Sequence, residues 1–405
     1  MVGAIIQLVL ALYLATILSF KVKGGNFFKG LMFFPYLISG IAIGFIFKFF
    51  YTRGFVFDTI LQWCGFELDN LPYWLKDQSI NNWSLVATSV WRYFGQNMVL
   101  FIGAIMSVDA DLYEAAELDG ANKFQQFKHI ILPSIKTIIT LNVILSITGS
   151  LSAFEQPYVI TDGANGTGTY FVIMNEIAHV SQKVGLASAM AVVLLLIIFA
   201  CTILQKLFFK YIFRDAESED ESYKAKRARL KAEKQAKKSE REWHRAMKKH
   251  NVNVQKRKKH YTVGAILWLI VEYVSLIFFG LCAVVPVISC VITAFKTQEE
   301  YQATNVMTLP ENWLNFDNFI KAFQTADMGR AFLNSVIVMV SVLVVSIIIG
   351  TQLAYVLNRF KFPGNGLIRN LFLFASLLPA VAMQVTVYNI IQHCTLSIIY
   401  MDILF

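Results

Sequence analysis

Glu114, Ala115 and Ala116 are followed, after three intervening residues, by Gly120, and after nine more by Ile130, Ile131, Leu132 and Pro133. The chemistry these residues could do is recognition rather than catalysis. Asp111 and Glu114 have the D-x-x-E form of a capping box, so a short helix is expected to start near Asp111. Ala115 and Ala116 keep one face of that helix small, which allows close approach to a partner groove. Asp119 and Gly120 close it, because glycine enters the left-handed conformation at a helix C-terminus without penalty. A second short helix is expected over about 121–131, limited by Pro133, since the residue before a proline is pushed out of the helical region. The product is a helix–glycine–helix elbow over 109–133. Its bland alternative is an amphipathic interfacial loop with no partner.

Catalytic inventories are missing. The sequence has no G-x-x-x-x-G-K-[ST], no H-E-x-x-H and no G-x-S-x-G. Three of its six histidines lie in one charged stretch, and His129, His179 and His393 stand apart. The five cysteines (Cys64, Cys201, Cys282, Cys290, Cys394) fall mostly in apolar runs without C-x-x-C pairing. They read as small buried hydrophobes, not as a metal site or a disulfide framework. No catalytic residue, metal or cofactor is expected, and any ATP hydrolysis belongs to another chain.

The elements that must position the elbow are membrane spans. The chain is 56% hydrophobic, with 34 Phe and a mean hydropathy of +0.53, more apolar than soluble domains. Runs of about 20 apolar residues occur near 1–19, 27–50, 85–108, 134–157, 186–211, 264–295, 331–357 and 369–391. The predicted fold class is therefore all-α, a polytopic transmembrane helical bundle of about eight spans. The net charge of +9 is local: Arg214 to His260 holds 17 Lys+Arg and 8 Asp+Glu, leaving 19 of each sign elsewhere. The positive-inside rule puts that loop in the cytoplasm. Lys21, Lys23 and Lys29, then Arg359, Lys361 and Arg369, place their loops and the elbow on the same side if Met1 is outside. Residues 217–250 lack Gly and Pro and read as a solvated helix or a tether that could touch the phospholipid surface. A nucleic-acid partner is not expected for a loop held between spans.

The pattern EAA-x3-G-x9-I-x-LP resembles the cytoplasmic loop by which permease subunits of ABC importers dock on their ATPase. Further residues resemble carbohydrate-type permeases. In 1–211 these are Asn26-Phe27-Phe28-Lys29, Phe33-Phe34-Pro35-Tyr36, Trp91-Arg92, Phe154-Glu155-Gln156-Pro157 and Gly185-Leu186-Ala187-Ser188-Ala189. The outer Thr161-Asp162-Gly163-Ala164-Asn165-Gly166 departs from the family's T-x-GGP at Ala164-Asn165. Residues 263–405 resemble the start of the partner permease through Thr293-Ala294-Phe295-Lys296-Thr297, Leu309-Pro310, Trp313, Asn318-Phe319, Phe332-Leu333-Asn334-Ser335, Ala354 to Gly364 and Leu378-Pro379.

The resemblance implies a type I ABC importer permease-like fold in a bacterial cytoplasmic membrane. It reads as 1–211, a first permease half of five spans; 212–262, a charged cytoplasmic linker; and 263–405, the start of a second half with three spans. The chain then looks like a fused permease pair clipped at both ends, with a single elbow. The implied partners are an ABC ATPase dimer, an extracellular solute-binding protein, membrane lipid and a second permease chain. Asp111, Glu114, Ala115, Ala116, Asp119, Gly120, Ile130, Leu132 and Pro133 are the implied ATPase-coupling residues. For a carbohydrate path, which wants aromatic platforms and uncharged hydrogen-bonding groups, the candidates are Trp91, Gln96, Asn97, Asn142, Ser146 and Glu155, with Tyr93, Ser152 and Gln352. Taken singly, each is better explained by interhelical hydrogen bonding or interface anchoring. Two rival functions remain: a secondary transporter or channel, disfavoured by nearly charge-free span centres, and a remnant that inserts without transporting.

Overall fold

A computed structural model of the chain describes residues 2–376 except 21, 213–262, 326 and 361. The linker helix expected over 217–250 and most of the span expected over 369–391 lie outside the described residues. The fold is all-α, with no strand among the described residues. In chain order the helices are α1 (Val2–Ser19), α2 (Gly25–Leu37), α3 (Gly40–Phe50), α4 (Val56–Trp63), α5 (Asn81–Met106), α6 (Ala110–Leu118), α7 (Lys123–Gln126), α8 (Leu132–Ser134) and α9 (Lys136–Leu151). They continue as α10 (Glu155–Thr161), α11 (Tyr170–Asn175), α12 (Val184–Ile212), α13 (Val263–Ala294), α14 (Gln298–Ala303), α15 (Asp317–Thr325), α16 (Met328–Arg359) and α17 (Asn365–Ser376). The chain divides into two units, Met1–Phe199 with Leu276–Phe405, and Ala200–Ser275. The described part of the second unit is the end of α12 and the start of α13, where Phe208 and Phe209 meet edge to face at 5.6 Å.

Five helical stretches are long and apolar enough to cross a membrane: Val2–Ser19, Lys136–Thr161, Gly185–Phe209, Ile266–Ala294 and Met328–Arg359. The run expected over 27–50 is two helices, α2 and α3, bent by 97°, which pass the same test only as a pair. Pro35 sits in the last turn of α2 and cannot donate to the helical ladder, and Ile38 then turns extended. The run expected over 85–108 is α5, long enough to span but carrying Arg92, Gln96 and Asn97. Its polarity is sheltered by protein. Trp91, Phe94, Met98, Phe101 and Ile102 are buried along it, packed with Ala11, Leu14, Ala15 and Leu18 of α1, Met32 of α2 and Trp91's neighbours on α3.

Small residues set the closest approach. At the α2–α5 crossing, a Cβ on Gly95 would overlap the Met32 carbonyl, a backbone atom that no rotamer change can move. Gly95→Ala is expected to pry α2 from α5 and to cost at least the ~1–3 kcal/mol typical of overpacking. The readout is the melting temperature of the detergent-purified chain, and an unchanged value would contradict so tight a crossing.

The second cluster is aromatic. Phe47 meets Trp91 at 5.0 Å and Phe50 at 5.4 Å, and Phe57 meets Trp74 at 4.8 Å. Trp74 Nε1 donates to Asp58 Oδ1 (2.6 Å) and Gly54 N donates to Asp58 Oδ2 (2.6 Å), so this fully buried carboxylate pins the first outer segment. Trp74 is thus a structural residue, whereas Trp63 and Trp83 are exposed. Asn165 sits in the left-handed region with Asp162, Gly163 and Gly166 around it. Its backbone carbonyl accepts from Asn81 Nδ2 (2.7 Å) and its Nδ2 donates to the Leu75 carbonyl (3.3 Å). The residues that depart from the family pattern therefore stitch two outer segments together.

Residues 276–376 of the first unit pack on it through the same outer region. Trp91 Nε1 donates to the Cys282 carbonyl (2.7 Å), and Thr59 Oγ1 donates to Asn305 Oδ1 (3.1 Å). Phe295, Lys296, Trp313 and Asn318-Phe319, singled out in the second half, form one clasp. Phe295 is ringed by Trp313, Phe316 and Phe319 at 5.2–5.8 Å. Asn318 Nδ2 donates to the Lys296 carbonyl (2.8 Å). Lys296, fully buried, donates to the Asn305 carbonyl (2.7 Å), Thr308 Oγ1 (2.7 Å) and Thr304 Oγ1 (3.1 Å). Burial pushes the Lys296 amine below the ordinary lysine value of 10.5, and Glu300 opposes the shift. The folded clasp therefore binds fewer protons than the unfolded chain in the alkaline range below 10.5, and gains stability as pH rises through it. Lys296→Met removes all three hydrogen bonds to 304–308, for about 1–3 kcal/mol. Faster proteolytic cleavage within 297–319 is the expected result, and wild-type resistance would contradict it.

Candidate functional site

Two features of the first unit converge on α5 and α9. The first is the elbow between them. α6 starts earlier than its sequence implies: Asp109, not Asp111, is the N-cap, and its Oδ1 accepts from Asp111 N (3.1 Å). The D-x-x-E capping box at Asp111 and Glu114 does not form; the sequence offered two aspartates two residues apart, and the extended backbone at Asp109 decides between them. The end of α6 agrees with expectation. Gly120 takes φ +79°, Gly120 N donates to the Glu117 carbonyl (3.2 Å) and Ala121 N to the Ala116 carbonyl (2.9 Å). That pair of bonds is a Schellman motif closed by glycine.

The second arm starts with a reciprocal capping box that sequence reading missed, although N-x-x-Q signals it. Asn122 Oδ1 accepts from Gln125 N (2.8 Å) and Gln125 Oε1 accepts from Asn122 N (2.8 Å). The helix expected to stop before Pro133 instead runs through it to Ser134. Phe127–Ile131 is a π-helical turn in which Leu132 N donates to the Phe127 carbonyl. The wider turn carries the chain past a residue that has no N–H to give. Ser134 Oγ then donates to the Ile130 carbonyl (2.7 Å).

One side of the elbow is anchored. Tyr113, Val108 and Phe127 pack on the cluster that holds Ile131 and Ile135, both buried. Tyr113 Oη is buried with no hydrogen-bond partner among the described residues, and burial pushes its phenol up. Lys123 Nζ lies 5.1 Å from the Phe20 ring centroid. The other side is bare. Asp111, Glu114, Ala115, Asp119, Gly120, Leu132 and Pro133 are exposed, Ala116 and Ile130 half-buried, and Leu112, Leu118 and Phe124 are 50%, 89% and 67% exposed. Apolar side chains this open on a charged elbow form a surface suited to a partner.

The second feature is a cavity of about 440 Å³, within the usual range of ligand sites. α5 supplies Ser89, Arg92, Tyr93, Gln96, Asn97 and Leu100, and α9 supplies Leu145, Ser146, Gly149 and Ser150. Ser152, Glu155 and Gln156 follow, with Gln7 from α1. Arg92 forms an ion pair with Glu155 and lies 5.0 Å over the Tyr93 ring. Glu155 also abuts Gly40 at the start of α3, where a Cβ would overlap both ions. A carboxylate is favoured at a helix N-terminus, so the 97° break between α2 and α3 helps to hold this charge.

Of the candidates for a solute path, Gln96, Asn97, Ser146 and Glu155 line this one cavity, with Tyr93 and Ser152. Trp91 does not; it is spent in the aromatic cluster. Asn142 lies one turn before Ser146 on α9, fully buried, with both amide atoms unpartnered among the described residues and outside the lining. Gln352 is exposed on α16 and not part of the lining. Arg92, Gln7 and Gln156 were missed as lining residues, though a charge or an amide inside an apolar run was a usable signal.

Residues 7–214 match the family described as binding-protein-dependent transport system inner membrane component. The probable ABC transporter permease protein YurN of Bacillus subtilis (strain 168) is 34% identical over 215 residues, covering 52% of this chain and 73% of that one. The probable starch degradation products transport system permease protein AmyD of Thermoanaerobacterium thermosulfurigenes is 32% identical over 199 residues, 49% of this chain and 67% of that one. The arabinooligosaccharides transport system permease protein AraP of Bacillus subtilis is 30% identical over 209 residues, 49% of this chain and 65% of that one. Among solved structures, a bacterial alginate ABC transporter in complex with alginate pentasaccharide-bound periplasmic protein aligns with a TM-score of 0.46 at 18% identity, over 54% of this chain and 76% of that one.

Proposed function

We infer the function from the family: this chain belongs to the binding-protein-dependent transport system inner membrane components, and it is the multi-pass bacterial membrane permease of an ABC importer for carbohydrate. One observation carries the mechanism. The two helices that enter and leave the elbow, α5 and α9, are the two that supply most of the cavity wall. Displacement of the elbow would therefore move the cavity lining directly, as a rigid lever requires.

In this reading the exposed face of α6, with Leu112, Ala115 and Leu118, enters a groove of a separate ATPase, which hydrolyses the ATP. Asp111, Glu114 and Asp119 orient it, Gly120 sets its angle, and Ile130, Leu132 and Pro133 fix the return. A solute-binding protein delivers sugar from outside. The cavity at Gln96, Asn97, Ser146 and Glu155 holds it while the helices rock between outward and inward openings. Residues 263–405 begin a second permease half behind the linker 212–262. A dimeric ATPase has two grooves, so a second elbow works beside this one.

The experiment is co-expression of this chain with the ATPase and solute-binding protein of its host, followed by uptake of labelled maltose and arabinobiose in vesicles. ATP-dependent uptake that disappears when residues 109–133 are replaced by a Gly/Ser linker supports the reading. ATPase retained on the linker variant would refute the elbow's role.

A further inference from the structure

We infer that the Arg92–Glu155 pair sets the charge selectivity of the cavity, so that it admits uncharged saccharide units and turns away uronates and other anionic sugars. This rests on the carbohydrate reading above and refines it.

Among the described residues that line the cavity, Arg92 and Glu155 are the only Lys, Arg, Asp or Glu, and they are joined to each other. The lining is therefore formally neutral. Arg92 is further held over Tyr93, its side chain is 12% exposed, its Nη1 is committed to Glu155 and its Nε is covered, so little of the guanidinium is left for an anion. A carboxylate brought into this wall would be desolvated without a counterion, and would also face Glu155, whose side chain is 43% exposed. Glu155 cannot simply withdraw, because it is boxed against Gly40. The remaining polar lining is amides and hydroxyls. Gln96, Asn97 and Ser146 are of this kind, and such donors and acceptors suit sugar hydroxyls and ring oxygens.

The pair is a specificity device and not a stability requirement of the elbow. Two neutralising substitutions should shift preference in opposite directions. Glu155→Gln leaves Arg92 as the sole charge and should favour anionic sugars. Arg92→Gln leaves Glu155 and should favour protonated amino sugars.

The test measures thermal shifts of the full chain in lipid nanodiscs with maltose, arabinobiose, digalacturonate and the glucosamine disaccharide at equal concentrations. The wild type should respond to at least one neutral disaccharide and not to digalacturonate. Glu155→Gln should bind digalacturonate at least tenfold more tightly than the wild type, and Arg92→Gln should do the same for the glucosamine disaccharide. A wild type that responds equally to digalacturonate, or variants whose preference is unchanged, would overturn the charge rule and leave the carbohydrate site standing. No response to any saccharide by the wild type or either variant would overturn the site itself, and the charge rule with it. If neither variant folds, the wild-type comparison decides alone.

Discussion

Gly120→Val is expected to abolish co-purification of the ATPase while leaving the membrane core folded. Gly120 has φ +79° and nothing within 4 Å of where a Cβ would stand, so the cost is entirely in the backbone. A non-glycine residue held in the left-handed region costs about 1–3 kcal/mol, and a β-branched one sits at the upper end. Tyr113 is the α6 side chain that packs on the core, and it is only partly buried, so packing is a weak hold on the elbow's shape against that cost. The Schellman bonds from Gly120 and Ala121 should open, and the angle between α6 and the Asn122 capping box should be lost. Gly120→Asn is the internal control, since asparagine tolerates the left-handed region and should restore most of the association. The measurements are ATPase retained on the affinity-purified complex and the melting temperature of the permease. Full association of Gly120→Val would remove the elbow from the mechanism. A collapse of the melting temperature would show that the elbow supports the core and is not a free docking arm.

The contrast between elbow and core explains how much could be read without coordinates. α1, α12, α13 and α16 are unbroken apolar helices, and their length and composition sufficed. The Gly120 turn was legible because only one residue type takes that conformation cheaply. What escaped depended on choices between local near-equals. Asp109 and Asp111 both suit an N-cap, and a π turn over Phe127–Ile131 uses the same residues as an α turn would. The apolar run 27–50 hides a 97° break, since Pro35 and Gly40 mark positions where a bend is permitted, not where one occurs. The cavity shows the same division. The types at Gln96, Asn97, Ser146 and Glu155 pointed to hydrogen bonding, and the fold gathers them. Trp91 was drawn away by Phe47 and the Cys282 carbonyl, contacts between segments far apart in the chain. Arg92 stood only as part of the Trp91-Arg92 resemblance because its partner lies 63 residues later. The linker reading at 217–250 falls outside the described residues.

Gly40→Val should produce the converse of the Gly120 result: transport lost, ATPase still bound. A Cβ on Gly40 would overlap both the Glu155 carboxylate and the Arg92 guanidinium, and the two branches of valine extend the overlap. Gly44, one turn further along α3, already lies so close to Val159 that a Cβ there would also collide. α3 and α10 therefore have no room to slide apart along their contact, and the ion pair must separate. Breaking a buried pair costs about 3–5 kcal/mol when one partner is left uncompensated; Glu155 is partly solvated in the cavity, so the lower end is expected here. The damage lies at the cavity, whereas the anchors of the elbow, Tyr113, Phe127, Ile131 and Ile135, belong to the separate cluster with α1 and α5. ATP hydrolysis by the bound ATPase should then continue without responding to loaded solute-binding protein, and uptake should fall at least tenfold. Retention of stimulated hydrolysis and uptake in Gly40→Val would mean that the α3–α10 contact yields more easily than its geometry implies. Loss of ATPase binding in the same variant would tie the two ends of α5 together more rigidly than a lever hinged at Gly120 allows.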